Sequence, residues 1–183
     1  MFHIQNIAIV LMFTVLLVII YKNLSVKQKK SHIWRQKSAN RALDILKVFK
    51  NDGQIVSYLR KLDPFVFEEL LLIAIAQNKN CKVIRNSKYT GDGGVDGKFI
   101  YTNDDKKKYL YLVQAKRYSA HINNKDVLTL SKKAKEEKAY QGLFIHTGRS
   151  GKAAWKSAYC SDNIKILSSS KLVDLIKYGF VHE

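Results

Sequence analysis

The chain has 183 residues, and its 32 Lys and Arg against 15 Asp and Glu give a formal net charge of +17. Hydrophobic residues make up 46%, which is enough to build a core and excludes a fully disordered chain, while two cysteines exclude a disulfide scaffold and a four-cysteine zinc site. The excess of Lys and Arg indicates a polyanionic partner, either nucleic acid or an anionic membrane face, because these side chains displace counterions from phosphates.

The first segment, residues 1–21, contains the apolar run Ile7–Tyr21, which Thr14 alone interrupts. As a helix this run covers about 22 Å, against about 30 Å for the hydrocarbon core of a bilayer, and Phe2 and Ile4 extend it. A signal peptide would need a basic start and a small-residue cleavage site, and neither is present. A buried soluble helix is the other alternative. The sequence predicts a transmembrane anchor over residues 1–21.

The basic residues that follow the anchor set its predicted orientation. None precedes the run and several follow closely, so we expect a single-pass protein of the cell (inner) membrane with its N-terminus outside and the rest in the cytoplasm. Residues 22–60 hold ten basic and two acidic residues. We interpret them as a basic linker, in which Ser25–Asn40 is polar and has no strong period, with short amphipathic helices at Arg41–Lys50 and Asp52–Leu62.

Residues 61–183 alternate between strand and helix patterns. A helix begins at the Asp63-Pro64 cap and continues as a buried apolar segment. The further predicted elements, in chain order, are strands Cys81–Arg85, Val95–Thr102 and Lys108–Arg117, helix Asn124–Ala139, strand Gly142–Thr147, helix Ser150–Tyr159, strand Ile164–Leu167 and helix Ser169–Tyr178. The order predicts an α/β fold with an αβββαβ core, in which a mixed sheet is flanked by helices.

Polar side chains gather at one end of the predicted hairpin. On the third strand, Gln114 and Lys116 share one face with Leu110 and Leu112. A buried Lys116 would be costly without a partner. Asp96 opens the neighbouring strand at the same end. Glu68 and Glu69 begin the buried helix, and helix periodicity does not say which of them turns inward, so one buried carboxylate needs a partner that a metal would provide.

These residue types suit metal-assisted phosphodiester hydrolysis. Mg²⁺ prefers oxygen ligands, with Mn²⁺ as an alternative, and Asp96, a Glu carboxylate and the Gln114 side-chain oxygen can supply several of them. Such a metal polarises the phosphate and lowers the pKa of the attacking water. Lys116 would orient that water or stabilise charge in the transition state.

Three stretches, FEELLLIAIAQNKNCKVIRNSKYTGDGGVDG, YLVQAKRY and GLFIHTGRSGKAA, together resemble the Mrr-like restriction endonucleases of the PD-(D/E)xK nuclease superfamily. The resemblance implies an Mrr-like nuclease domain over residues 61–183, and it favours Glu68 over Glu69. It implies that Glu68, Asp96 and Gln114 are catalytic metal ligands and that Gln114 and Lys116 form the QxK variant of the (D/E)xK pair. The DNA-recognition module of some relatives is missing, so target specificity does not carry over.

Four residues are candidates for contact with nucleic acid. Arg117 and Tyr118 follow the third strand, where the alternative is a solvated surface pair. Arg149 and Ser150 stand at the start of a predicted helix, whose N-terminal N–H groups can bind phosphate, although an N-cap is the simpler interpretation of Ser150.

The sequence therefore predicts a membrane-anchored, Mg²⁺-dependent DNA endonuclease of the restriction type. The first alternative is a catalytically inactive, membrane-tethered DNA-binding protein with the same fold, and the second is a lipid-binding protein whose basic face docks on membrane. Cleavage of both strands of a duplex would need two sites, which a homodimer would supply.

Overall fold

The computed structural model describes residues 2–85, 94–118, 120–152, 155–156, 161 and 163–182. Within these ranges the side chains of residues 2–11, 13, 25 and 27–30 are outside the description. The chain divides into two compact units, Met1–Lys37 and Ser38–Glu183.

Helix α1 extends without a break from Phe2 to Lys47. The segment Ser25–Asn40, interpreted as a linker, is helical throughout, and the helix predicted at Arg41–Lys50 is the end of α1. The physical reason is that residues 22–47 contain neither Pro nor Gly, so nothing in the backbone stops a helix from continuing.

The predicted transmembrane anchor over residues 1–21 is not found. In the part of the chain that the structure describes, no helix is long and apolar enough to cross a membrane. The apolar run Ile7–Tyr21 would cover only about 22 Å as a helix, and α1 passes directly from it into the basic sequence that begins at Lys22. Part of the run falls on side chains outside the description.

The second unit contains a five-stranded mixed sheet. Its helices are α2 (Asp52–Leu59), α3 (Pro64–Ala76), α4 (Asn124–Glu136) and α5 (Ser170–Tyr178), and its strands are β1 (Cys81–Arg85), β2 (Gly97–Thr102), β3 (Lys108–Lys116), β4 (Gln141–His146) and β5 (Ile164–Leu167). The strands lie in chain order; β1, β2 and β3 pair antiparallel, and β3, β4 and β5 pair parallel. The prediction of a mixed sheet flanked by helices is confirmed.

Strand alternation divides the core into two clusters. Tyr111, Val113 and Ala115 of β3 join the larger cluster, which contains residues of α2, α3 and α5 and also the last turns of α1. Leu112 belongs to the smaller cluster, with Val127 and other residues of α4. Because Ala39, Ala42, Leu43 and Leu46 are buried in the larger cluster, the folded unit begins before the predicted boundary at residue 61.

Local signals placed several element ends correctly. The Asp63 carboxylate accepts hydrogen bonds from the N–H groups of Phe65 (3.0 Å) and Val66 (3.2 Å), which confirms the predicted cap of α3. Reciprocal backbone hydrogen bonds between Asn103 and the Lys106–Lys107 pair close the predicted hairpin. The predicted tight turn over residues 89–94, apart from Gly94, and most of the helix predicted over residues 150–159 lie outside the described residues.

Candidate active site

Asp96 stands directly before β2, and its carboxylate closes the end of the ladder between β2 and β3. Its backbone N–H donates to the carbonyl of Val113 (2.8 Å), and its Oδ2 accepts a hydrogen bond from the backbone N–H of Ala115 (2.6 Å). The Asp96 carboxylate thus accepts the Ala115 N–H in place of a backbone carbonyl. Because Ala115 lies between Gln114 and Lys116, the carboxylate is held at the centre of the predicted QxK pair.

Gln114 is a buried amide at the start of the predicted QxK segment. The side chain is 3% exposed, and its Oε1 has no hydrogen-bond partner among the described residues. Gly94 (φ +85°) packs against the amide, since a Cβ at that position would lie 2.8 Å from Gln114 Nε2. Leaving a buried acceptor unpaired costs about 1–3 kcal/mol. Such a cost is typical of a functional site rather than of a core.

The two adjacent glutamates of α3 have different environments. Glu69 is 2% exposed, and its Oε1 lies 2.7 Å from Arg85 Nε, so the buried carboxylate predicted to need a partner is Glu69, and the chain itself supplies the cation. Arg85 pairs with Gly97, and a Cβ on Gly97 would lie 2.7 Å from Leu72. Residues 69–72 of α3 therefore lie at the start of β2. Glu68 is half-buried at this same end.

Lys116 ends β3 beside a buried histidine. In the parallel ladder its Cα partner is His146, the last residue of β4. Paired residues of neighbouring strands point to the same face, about 4.8 Å apart. His146 is fully buried, and this burial lowers its pKa to about 4, so the imidazole is neutral near pH 7. Its Nε2 lies 2.9 Å from Ser150 Oγ, and its Nδ1 has no partner among the described residues.

Two loops leave the sheet beside Lys116 and are bonded to each other. The Thr147 hydroxyl donates to the carbonyl of Tyr118 (2.9 Å), and the backbone N–H of Arg149 donates to the carbonyl of Ala120 (3.0 Å). A Cβ on Gly148 would lie 2.4 Å from that same Ala120 oxygen, so only glycine allows the loops to come this close. The loop after β4 is therefore held in one position relative to the QxK strand.

Arg60, between α2 and α3, ties this arrangement to the helical layer. Its Nε and Nη2 donate to the carbonyl of Thr147 at 2.9 and 2.6 Å. The guanidinium of Arg117 donates in turn to the carbonyl of Arg60. The ends of β3 and β4 are thereby joined to the entry of α3, on which Glu68 lies.

The four predicted nucleic-acid contacts differ in what their side chains do. Arg117 and Arg149 are exposed, although one N–H of Arg117 is used on Arg60. Tyr118 donates its hydroxyl proton to Asp126 of α4 (2.6 Å), so its side chain is fastened to that helix instead of facing solvent. The pKa of Tyr118 is raised, chiefly by burial and also by this hydrogen bond. Ser150 is half-buried and contacts His146.

Sequence reasoning missed three parts of this site: Arg60, His146 and the pair of Glu69 with Arg85. Arg60 and the Glu69–Arg85 pair depend on partners distant in the sequence, so no local pattern indicates them. His146 did have a local signal, because it ends a buried strand directly before the Thr-Gly-Arg-Ser segment. In the described part of the chain no three or more His, Cys, Asp and Glu side chains are grouped so that they could hold a metal. The predicted donor set relies on the amide of Gln114.

Known proteins are similar to this chain in sequence and in fold. The sequence model of the Mrr catalytic domain, described as a restriction endonuclease, matches residues 59–176. The solved structure of the MspJI restriction endonuclease in complex with a 27-mer oligonucleotide is similar, with 18% identity and a TM-score of 0.50 over 70% of this chain and 33% of that one. The DNA modification-dependent restriction endonuclease AspBHI shows 17% identity and a TM-score of 0.46 over 69% of this chain and 35% of that one.

The chain thus spans about a third of the length of each of these two structures. No curated protein matches the sequence. The family match covers more than half of the chain and includes Asp96, Gln114 and Lys116. The resemblance drawn from the sequence motifs is confirmed, and the chain belongs to the restriction endonuclease family defined by the Mrr catalytic domain.

Proposed function

We propose that this protein is a divalent-metal-dependent DNA endonuclease that hydrolyses phosphodiester bonds at the C-terminal end of β3. Membership of the restriction endonuclease family supports DNA cleavage. The observation that carries the metal requirement is the buried Gln114 Oε1, which has no hydrogen-bond partner among the described residues. The Asp96 carboxylate accepts a hydrogen bond from the backbone N–H of the next residue, Ala115.

The residues at this end of the sheet fit a hard divalent cation. Asp96 and Gln114 offer a carboxylate and an amide oxygen, and Glu68, from the first turns of α3, is proposed as the third ligand. An all-oxygen donor set favours Mg²⁺, with Mn²⁺ as the alternative. When bound, the ion would polarise the scissile phosphate and lower the pKa of the attacking water.

The chain's own side chains perform the remaining tasks. Lys116 is half-buried at the last position of β3, where its ammonium would donate hydrogen bonds to the attacking water or to a phosphate oxygen. Arg117, Arg149 and Ser150 are proposed to contact the DNA backbone. The net charge of +17 adds an affinity that depends on salt and little on base sequence.

Plasmid cleavage by the full chain tests this proposal. We expect nicked or linear DNA with Mg²⁺ or Mn²⁺, none with EDTA, and at least about a 100-fold lower rate in D96A and in K116A. D174A and K171A change exposed residues of α5 and serve as matched controls that keep the wild-type rate. Linear product from single encounters would support the predicted homodimer.

Two results would contradict the proposal. One is cleavage that EDTA leaves intact, and the other is cleavage that D96A and K116A both retain. Tight DNA binding with no cleavage by any of the proteins would instead favour the inactive DNA-binding alternative.

The membrane location stays a prediction from the sequence. Val15, Leu17 and Ile19 of α1 are 49–63% exposed, and an exposed apolar stretch of this kind needs a partner. Cell fractionation tests the location. The full chain is expected in the membrane fraction after a carbonate wash, and release by that wash would contradict the prediction.

A further inference from the structure

His146 is the buried titratable group that the proposed mechanism leaves without a task. It is fully buried, and one ring nitrogen contacts Ser150 while the other has no partner among the described residues. A buried polar ring with an unpaired nitrogen is expensive for a position that Phe or Leu could fill.

The unpaired nitrogen decides how the ring is protonated. A neutral imidazole has one N–H donor and one bare acceptor nitrogen. If Nδ1 carried the proton, this buried N–H would have no acceptor among the described residues, and buried donors without an acceptor are rare. The proton therefore lies on Nε2, which donates to the hydroxyl oxygen of Ser150 at 2.9 Å.

This direction of donation fixes what Ser150 can do. Its oxygen accepts from His146, so its own O–H proton is available to donate to another acceptor. The hydroxyl lies on a loop that Thr147 and Arg149 fasten to the segment after β3. His146 and Lys116 are Cα partners, so the loop follows the strand position beside the proposed cleavage site.

We propose that His146 is a positioning residue, which holds the Ser150 hydroxyl as a hydrogen-bond donor to a phosphate oxygen of DNA bound at the β3 end. The inference rests on the proposed function, since it names the nucleic-acid contact of that same site. It predicts that the effect of His146 on DNA binding acts through Ser150 and not through general stability.

Fluorescence anisotropy with a duplex oligonucleotide and the full chain in EDTA tests the inference, because this measurement does not require cleavage. We expect S150A to raise Kd about tenfold to 100-fold, the effect of one hydrogen bond to a charged group. H146Q keeps a donor near the position of Nε2 and is expected to bind almost as the wild type does. H146N is too short to reach Ser150 and is expected to bind as weakly as S150A.

The double variant H146N/S150A separates positioning from a structural role. If His146 acts through Ser150, the double variant binds no more weakly than either single variant. Multiplied effects in the double variant, equal losses in H146Q and H146N, or wild-type binding by S150A would overturn the inference. S57A, at an exposed position of α2, is the control for S150A.

A second measurement needs no substitution that can unfold the protein. The ¹⁵N NMR spectrum of histidine rings in the full chain is expected to show one ring that stays neutral, in the Nε2–H form, down to roughly pH 5, since the pKa of His146 is about 4. An Nδ1–H form of that ring would overturn the inference. Wild-type protein that neither binds nor cleaves DNA would defeat the proposed function itself. If the wild-type protein binds DNA and S150A binds it equally well, the inference about His146 fails while the proposed function stands.

Discussion

Strand β3 begins and ends in two different environments. Near its start, Tyr111 is 1% exposed, stacks on Phe99 with a centroid distance of 4.7 Å, and places its hydroxyl 2.6 Å from Nδ1 of His182. Near its end, Gln114 is also buried, but its Oε1 has no partner among the described residues.

The difference separates stability from function within one strand. At the aromatic end each buried polar atom named above has a partner and each ring is packed, so that end contributes stability. At the QxK end an acceptor on β3 and a ring nitrogen on β4 have no partner among the described residues, and buried polar atoms without partners lower stability. Natural proteins retain such costs mainly where function requires them. Four expected outcomes test this contrast, in order of decreasing size.

The largest effect is expected from removing the end of α1, which supports the aromatic side of the sheet. A fragment that begins at Gln54 lacks Ala39, Ala42, Leu43 and Leu46, all at most 4% exposed, whereas one that begins at Ser38 keeps them. At about 1.5–3 kcal/mol for each buried leucine, we expect the shorter fragment to be less stable by roughly 5 kcal/mol. Urea unfolding measures the difference, and equal midpoints would contradict the packing.

The second effect is a dependence of stability on pH that comes from His146. Its pKa is about 4 in the folded chain, below the ordinary 6.5, because burial disfavours the charged ring. The charged group paired with it across the ladder is Lys116 of β3. Between these values the unfolded chain binds the extra proton, so stability falls as pH decreases from 6.5 to 4, by up to about 3 kcal/mol.

H146Q is the control, because it cannot titrate and should lose this part of the pH dependence. Urea midpoints at several pH values for both proteins measure it. An unchanged dependence in H146Q would show that other groups are responsible.

The third effect exchanges function for stability at Gln114. Q114L removes the unpaired oxygen and leaves an apolar side chain of similar size. We expect cleavage to fall about 100-fold, or about 2.7 kcal/mol in the activation barrier, while the free energy of unfolding stays level or rises by about 1 kcal/mol. If Q114L is less stable than the wild type and cleaves at the same rate, the C-terminal end of β3 contributes stability and not function.

The smallest effect is expected at the aromatic end. Y111F removes the hydroxyl that lies against His182 and should cost about 1 kcal/mol of stability, with no change in cleavage. Y178F alters an exposed tyrosine (73% exposed) and should change neither quantity. A loss of cleavage in Y111F would show that the two ends of β3 are coupled.

The fold was largely predictable because its signals are local. Alternation along β3, the Asn103 turn and the Asp63 cap each use residues within a few positions of one another, and together they place Asp96, Gln114 and Lys116 at one end of a hairpin. The continuity of α1 was missed because a polar sequence without Gly or Pro gives no signal for where a helix ends.

The parts of the site that the sequence did not predict depend on partners far away in the chain. Arg60 meets Thr147 across 87 residues of sequence, and Glu69 meets Arg85 across 16. Periodicity could not separate Glu68 from Glu69, because both lie one turn before buried leucines. The position of Arg85 at the end of β1, opposite Gly97, separates them, and that pairing exists only in the folded sheet.

The most direct test of the account is metal binding by the full chain, since the central claim is that Asp96 and Gln114 hold a divalent ion at the end of β3. Titration with Mn²⁺, followed by electron paramagnetic resonance, is predicted to show a site in the wild-type protein that weakens in Q114L and is lost in D96N. In D96N an oxygen remains to accept the Ala115 hydrogen bond, so folding should be preserved. Equal Mn²⁺ binding by all three proteins would contradict the account.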